Sequence, residues 1–253
     1  MKFAIKLGGS VITYKDANKP KAREDVIKRL ISEVSKFPPP FILTHGAGSY
    51  GHPLVDKWMK GELRDFNEIH KSVEKLNEII LGYCKKFNLP VDCFPPFKTV
   101  TYNGKFDLKE LWKYGKESLE NGRVLMTYGD IVLPREGTRT KYNGFEILSA
   151  DVSTCFLAKQ WKAERIIWVV DKDGIYTKNP ELYADSKVII KINGKDYKAR
   201  FETNKIDFTG GLQEKIKQSL KVGIESLVIN GLVPRNLLKT LNGDKTIGTL
   251  IIP

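Results

Sequence analysis

The chain has 253 residues, 41% of them hydrophobic, which is ample for a buried core and close to the size at which a single core stops growing. Lys plus Arg number 42 against 30 Asp plus Glu; the resulting net charge of +12 suits anionic partners or a lysine-rich soluble surface, and it is scattered rather than gathered into a basic arm. Cys84, Cys93 and Cys155, an odd number with no CxxC spacing, fit buried apolar thiols in a reducing compartment better than a disulfide framework or a zinc site, and no apolar run is long enough to span a bilayer.

Lys2 to Leu7 reads as a first strand, stopped by Gly8-Gly9-Ser10, and the residues before the glycines are too few and too charged for a signal peptide, so a cytoplasmic protein is expected. Ala22 to Lys36 carries Val26, Ile27, Leu30, Ile31 and Val34 at helical spacing and is stopped by Phe37-Pro38-Pro39-Pro40. Phe41-Ile42-Leu43 then reads as a buried strand running into Thr44-His45-Gly46-Ala47-Gly48-Ser49-Tyr50-Gly51-His52. Gly46, Ala47, Gly48 and Gly51 leave that backbone free to approach an anion, and a helix starting just after would add its N-terminal dipole; the same residues also suit a bare strand-to-helix turn.

Phe66, Ile69, Val73, Leu76, Ile80, Tyr83 and Phe87 recur every three or four residues, predicting a long amphipathic helix whose stripe is core, with a part of it suited to line an apolar pocket. Val91 to Phe94 is a short strand, and Asn103-Gly104 marks a hairpin within Thr99 to Phe106. A helix is expected over Leu108 to Leu119 and a buried strand over Arg123 to Tyr128, ending at Gly129-Asp130. Lys141 to Phe145, with Asn143-Gly144, reads as a second hairpin, and Ala150 to Gln160 as a helix. The unbroken apolar run Arg165 to Val170 has the pattern of a parallel strand covered on both faces, and it ends at Asp171-Lys172-Asp173-Gly174. Lys187 to Tyr197, containing Asn193-Gly194, reads as a third hairpin at the sheet's edge. Thr209-Gly210-Gly211 opens a helix bearing Leu212, Ile216 and Leu220, and Ser226 to Gly231 and Gly248 to Ile252 are further strands. No repeat or linker divides the chain, so residues 1–253 are expected to form one domain.

Four strands thus end in small-residue loops, and if they are parallel neighbours the loops converge on one sheet edge, where open α/β sheets bind ligands. There is no GxxxxGK[ST] sequence and no HRD or DFG, so phosphates must be held in another way. Asp171-Lys172-Asp173-Gly174 lacks the remaining ligands of a calcium loop.

The series KLGGS, HGAGSYGH, DKDGIY and TGG, in that order over the whole chain, resembles the amino acid kinase superfamily. Within it, a loop ending in His52, with YNGKFD and TYGD, is similar to the isopentenyl phosphate kinases of the archaeal mevalonate route; acetylglutamate kinase, glutamate 5-kinase and UMP kinase lack that histidine. The resemblance implies a three-layer α/β/α sandwich with a mostly parallel open central sheet and β-hairpin flaps. In it, a lobe of about residues 1–160 takes the phosphate acceptor, and a lobe of about 161–253 takes ATP with Mg²⁺. It implies transfer of the γ-phosphoryl group to isopentenyl phosphate, and a homodimer. By the same resemblance His52, Lys6 and Lys15 are catalytic. Gly8, Gly46, Ala47, His52 and Gly129 hold the acceptor, while Lys6, Leu7, Gly8, Gly9, Ser10, Lys15, Gly48, Asp171, Asp173, Gly210 and Lys215 hold ATP, and no protein ligand to the metal is implied. Among phosphates His52 is expected to gain a proton. His45 is expected to fix the turn, and His70 to be a plain surface or core histidine.

One departure from the pattern is Ser149-Ala150-Asp151-Val152, where Gly-Asp-Asp would be expected. Another small-phosphate kinase, UMP kinase being the nearest, and a non-catalytic nucleotide-binding member remain alternatives. No nucleic-acid or membrane partner is expected.

Overall fold

The computed structural model describes residues 1–14, 19–194 and 212–253. In strand β1 (Phe3–Leu7), Phe3, Ile5 and Leu7 point to one face of the sheet and Ala4 to the other, and all are buried. The same alternation holds in Ile42–His45 (β2), where Leu43 joins the first face and Ile42 the second. A strand buried on both faces needs two helical layers, which is what an unbroken apolar run in a parallel sheet signals.

In chain order, β1 leads into a single turn, Gly9–Ile12 (α1), then Glu24–Val34 (α2) and β2. After the glycine loop come His52–Met59 (α3), Asn67–Lys86 (α4), Val91–Cys93 (β3) and the short Pro96–Thr99 (α5). A small hairpin, Thr101–Tyr102 (β4) with Phe106–Asp107 (β5), precedes Lys109–Glu120 (α6), Val124–Tyr128 (β6), Asp130–Val132 (β7), Glu146–Leu148 (β8) and Ala150–Trp161 (α7). Arg165–Val170 (β9), Ile175–Tyr176 (β10), Val188–Ile189 (β11) and Lys191–Asn193 (β12) follow. Leu212–Val222 (α8), Ser226–Asn230 (β13), Asn236–Leu241 (α9) and Gly248–Ile252 (β14) complete the described chain.

The main sheet has eight strands in the order β12-β14-β13-β9-β1-β2-β6-β3. All neighbours are parallel except β13 and β14, so the sheet is mostly parallel with two reversed strands at one edge. α2, α4 and α9 pack one face around Leu30, Leu76 and Leu237, and α6, α7 and α8 the other around Leu111, Leu157 and Ile216. This is the three-layer α/β/α sandwich. A third, smaller cluster, with Ile69, Ile131 and Phe145 buried and Trp58, Phe66 and Phe97 against them, sits apart from both cores over the carboxyl edge.

One hairpin expectation needs correction, and another reaches beyond the described residues. No strands pair across Asn143-Gly144; the antiparallel pair is β7 with β8, and Lys141 to Gly144 is part of the long connection between them. β11 pairs with β10 and β12 runs parallel to β14; the return arm of the hairpin expected over Lys187 to Tyr197, beyond Gly194, lies outside the described residues. Among the described residues no helix is long and apolar enough to cross a membrane. All three cysteines are free thiols.

Candidate active site

The loops after β1, β2, β6 and β9 meet at one edge of the sheet, as parallel neighbours must, and enclose a cleft of about 710 Å³. Two of these loops lie backbone to backbone. A Cβ on Gly9 would stand 2.6 Å from Gly48 N, and Gly48 itself has a φ of +53°, so glycine is required on both sides of the contact. Thr13 clasps them, its hydroxyl donating to Gly9 O at 2.7 Å and accepting from Ser49 N at 3.0 Å.

The glycines expected as phosphate donors divide into two sets. Gly8 N donates to Val169 O, Gly46 N to Leu7 O and Gly129 N to His45 O, each continuing a parallel ladder by one residue, so those N–H groups are spent on the sheet. The N–H groups of Gly9, Ser10, Ala47 and Gly48 have no acceptor among the described residues and belong to the cleft lining. Backbone donors left unpaired at a cleft are a ready seat for an anion.

Lys6 follows from strand parity: it shares a face with Ala4 and meets the first turn of α7. There Asp151 takes Lys6 Nζ at 3.0 Å on one oxygen and Lys215 Nζ, from α8, at 2.8 Å on the other. All three residues are buried. Burial alone would raise the Asp151 carboxyl, but the two ammonium groups outweigh it and hold it at about 2. Burial lowers Lys6, Asp151 opposes that, and the Lys215 cation adds to it. Asp151 was not foreseen as a site residue; its one sequence signal was its place in the segment that departs from Gly-Asp-Asp.

His52 opens α3 and is exposed at the cleft wall. Its pKa is lowered, first by desolvation and also by Lys6, with Asp56 opposing. The expected gain of a proton concerns the ring among phosphate oxygens. His45 lies beneath the loop with Nδ1 3.2 Å from Gly46 O and Nε2 3.3 Å from Asn77 Oδ1, stacked on Tyr128, which fits its expected part in fixing the turn.

Of the other expected residues, Asp171 reaches the cleft and accepts from Ser10 Oγ at 2.8 Å, so Ser10 contributes a side chain to the loop's structure as well as a backbone donor. Leu7 is fully buried in the core and does not line the cleft. Neither does Asp173, whose carboxylate is held by Asn230 at 2.8 Å and Tyr176 at 3.4 Å. Lys15 and Gly210 lie outside the described residues.

Away from the lysines the cleft turns apolar. Ile69 and Val73 of α4 and Ile131 and Ile147 of the β7–β8 hairpin line an apolar slot in the same cleft as the glycine loop. The outer end of the long helix's stripe is therefore pocket wall, whereas Leu76, Ile80 and Cys84 are core.

Residues 1–230 match the family model described as the amino acid kinase family. The chain belongs to the amino acid kinase family. It is 31% identical to the isopentenyl phosphate kinase of Methanothermobacter thermautotrophicus over 98% of this chain and 97% of that one. It is 30% identical to the isopentenyl phosphate kinase of Methanocaldococcus jannaschii over 95% of each. A solved isopentenyl phosphate kinase structure, 28% identical, superposes with a TM-score of 0.80 over 99% of this chain and all of that one. The unpaired N–H groups, the Lys6–Asp151–Lys215 bridge and the apolar slot thus line one cleft at the carboxyl edge of the sheet.

Proposed function

We propose that the protein transfers the γ-phosphoryl group of ATP to isopentenyl phosphate, giving isopentenyl diphosphate and ADP. The observation that carries this reading is the apolar slot of Ile69, Val73, Ile131 and Ile147 beside the anion-seating loop: a five-carbon hydrocarbon tail fits it, whereas a nucleobase and ribose would want polar partners that it lacks. The full-length similarity to archaeal isopentenyl phosphate kinases supports the same conclusion.

An oxygen of the acceptor phosphate attacks Pγ, and the bond from Pγ to the β–γ bridging oxygen breaks, its electrons leaving with ADP. The acceptor is largely a dianion near neutral pH, with a second pKa near ~6, so no general base is needed. What remains is in-line placement and charge neutralisation. Lys6 and Lys215, bridged by Asp151, are assigned to the transferring group, and by the family resemblance Lys15, which lies outside the described residues, is assigned to it as well. The N–H groups of Gly9, Ser10, Ala47 and Gly48 are assigned to phosphate oxygens, and His52 to the acceptor phosphate. The amino-terminal part, to about residue 160, supplies the acceptor's seat, and the part beyond supplies Asp171 and Lys215 on the nucleotide side.

Mg²⁺ supplies charge neutralisation on the nucleotide. Asp151 is already bound by two ammonium groups and Asp171 by Ser10, and among the described residues no His, Cys, Asp and Glu cluster is arranged for a metal. The cation is accordingly assigned to phosphate oxygens and water. A homodimer is the expected assembly, checked by sedimentation.

The deciding experiment is a coupled ATP-consumption assay with isopentenyl phosphate, UMP and N-acetylglutamate offered in parallel. Turnover confined to isopentenyl phosphate is expected, and a preference for UMP would overturn the reading. His52→Ala should lower turnover by about 10²-fold while leaving thermal stability unchanged, as loss of a preorganised donor does; full activity in that variant would remove His52 from the mechanism.

A further inference from the structure

At the acceptor end of the cleft lies a buried polar pair to which the transfer itself gives no part. His70, in the first turn of α4, has Nδ1 2.7 Å from Asp130 Oδ2 at the start of β7. The other carboxylate oxygen accepts from Ile131 N at 2.8 Å. The imidazole lies flat on Phe97 of α5, ring centroids 4.1 Å apart and planes 13° from parallel. The Asp130 side chain is wholly buried, and a carboxylate at that depth requires its donors.

The position of this bond gives it consequence. Ile69 precedes His70 and Ile131 follows Asp130, and both isoleucines line the apolar slot and belong to one packed cluster. Gly129, just before Asp130, borders the same cleft and is tied to β2 through His45 O. One hydrogen bond therefore joins the α4 wall to the β7 wall, inside a satellite cluster separate from both main cores. The charged groups facing the imidazole are Asp130 from β7, Glu74 from α4 itself and Lys98 from α5.

We propose that His70 is a positioning residue for the acceptor: by holding Asp130 it fixes the turn from Gly129 to Ile131 and so sets the width of the slot that receives the acceptor's tail. The inference rests on the acceptor reading given above, and its test separates the two. His70→Leu removes the donor while keeping an apolar group against Phe97, and His70→Gln keeps an N–H donor on a good helix former.

With isopentenyl phosphate and tail-less methyl phosphate as acceptors, His70→Leu should raise the isopentenyl phosphate KM roughly tenfold and shrink the preference over methyl phosphate by a similar factor. The ATP KM and kcat should stay within about twofold, and His70→Gln should recover most of the loss. A merely structural role would instead move the ATP KM and kcat along with the acceptor KM. An unchanged acceptor preference, or a His70→Gln variant as impaired as His70→Leu, would overturn the proposal.

Amide hydrogen exchange read without any substrate is a second measurement. Residues 129–132 should exchange roughly tenfold faster in His70→Leu while β9 stays protected. Unaltered exchange at 129–132 overturns the inference even if the wild-type protein proves inactive on isopentenyl phosphate, a result that by itself would sink only the acceptor reading.

Discussion

Asp151 is bound to two ammonium groups that would otherwise repel each other in a buried space, with contacts of 3.0 and 2.8 Å. Removing its charge takes away the anion that fixes the spacing of Lys6 and Lys215 and leaves the buried Lys6 ammonium without its carboxylate, which is costly. Asp151→Asn should therefore lower kcat by about 10²-fold or more, checked by steady-state kinetics beside a thermal melt. Because its folded pKa of about 2 lies below the ordinary 3.8, Asp151 contributes stability that is fully present above pH 4 and is lost as pH falls through about 2. His45 acts over a different window. Burial lowers it from 6.5 to about 4, so between those values the unfolded chain binds a proton that the folded chain refuses. Stability should fall as pH drops from about 6.5 to 4, by on the order of 2–3 kcal/mol, and His45→Gln should flatten that part of the profile in urea titrations. A wild-type profile already flat there would mean that the ring is not held neutral.

α4 does two jobs along one apolar stripe, and substitutions at its two ends should separate them. Val73 faces the slot, so Val73→Phe should raise the acceptor KM roughly tenfold or more with the ATP KM unchanged, since overfilling a tail pocket removes binding without touching the phosphate seats. Leu76, one turn on, is fully buried in the core, so Leu76→Ala should cost about 2–5 kcal/mol of stability and leave the acceptor KM alone. If both variants change the KM alike, the boundary between wall and core is misplaced. The stripe itself was legible in the sequence because helical periodicity is local, as were β1 and β9, whose apolar character follows from burial on both faces. What was not legible depends on partners distant in the chain. Gly8, Gly46 and Gly129 look like free donors until the neighbouring parallel strand is known to take each N–H. Asp151 looks like an ordinary first-turn carboxylate until β1 places Lys6 opposite it, 145 positions earlier in the sequence. β7, only three residues long and directly after β6, carries too little pattern to be read as a strand of its own, and so its pairing with β8 was misplaced onto the Asn143-Gly144 turn.

Among the described residues the surplus positive charge does not lie on the walls of the cleft. Among the described residues lining the cleft, Lys6, Lys172 and Lys215 stand against Asp130, Asp151, Asp171 and Glu181, so the walls do not share in the net +12 of the chain. Two anionic substrates must nevertheless be drawn to one edge of the sheet. If the remote lysines and arginines do this, they act through the summed field of the surface, which screens over about 10 Å at 0.1 M salt. The tight contacts inside the cleft are much less sensitive to salt. Raising KCl from about 0.02 to 0.5 M should thus lower kcat/KM for the phosphate acceptor several-fold while kcat changes by less than about twofold. A kcat/KM indifferent to salt would assign the surplus lysine to surface solubility alone. A kcat that fell as steeply as kcat/KM would place the screened charges inside the cleft, against the burial of Lys6 and Lys215.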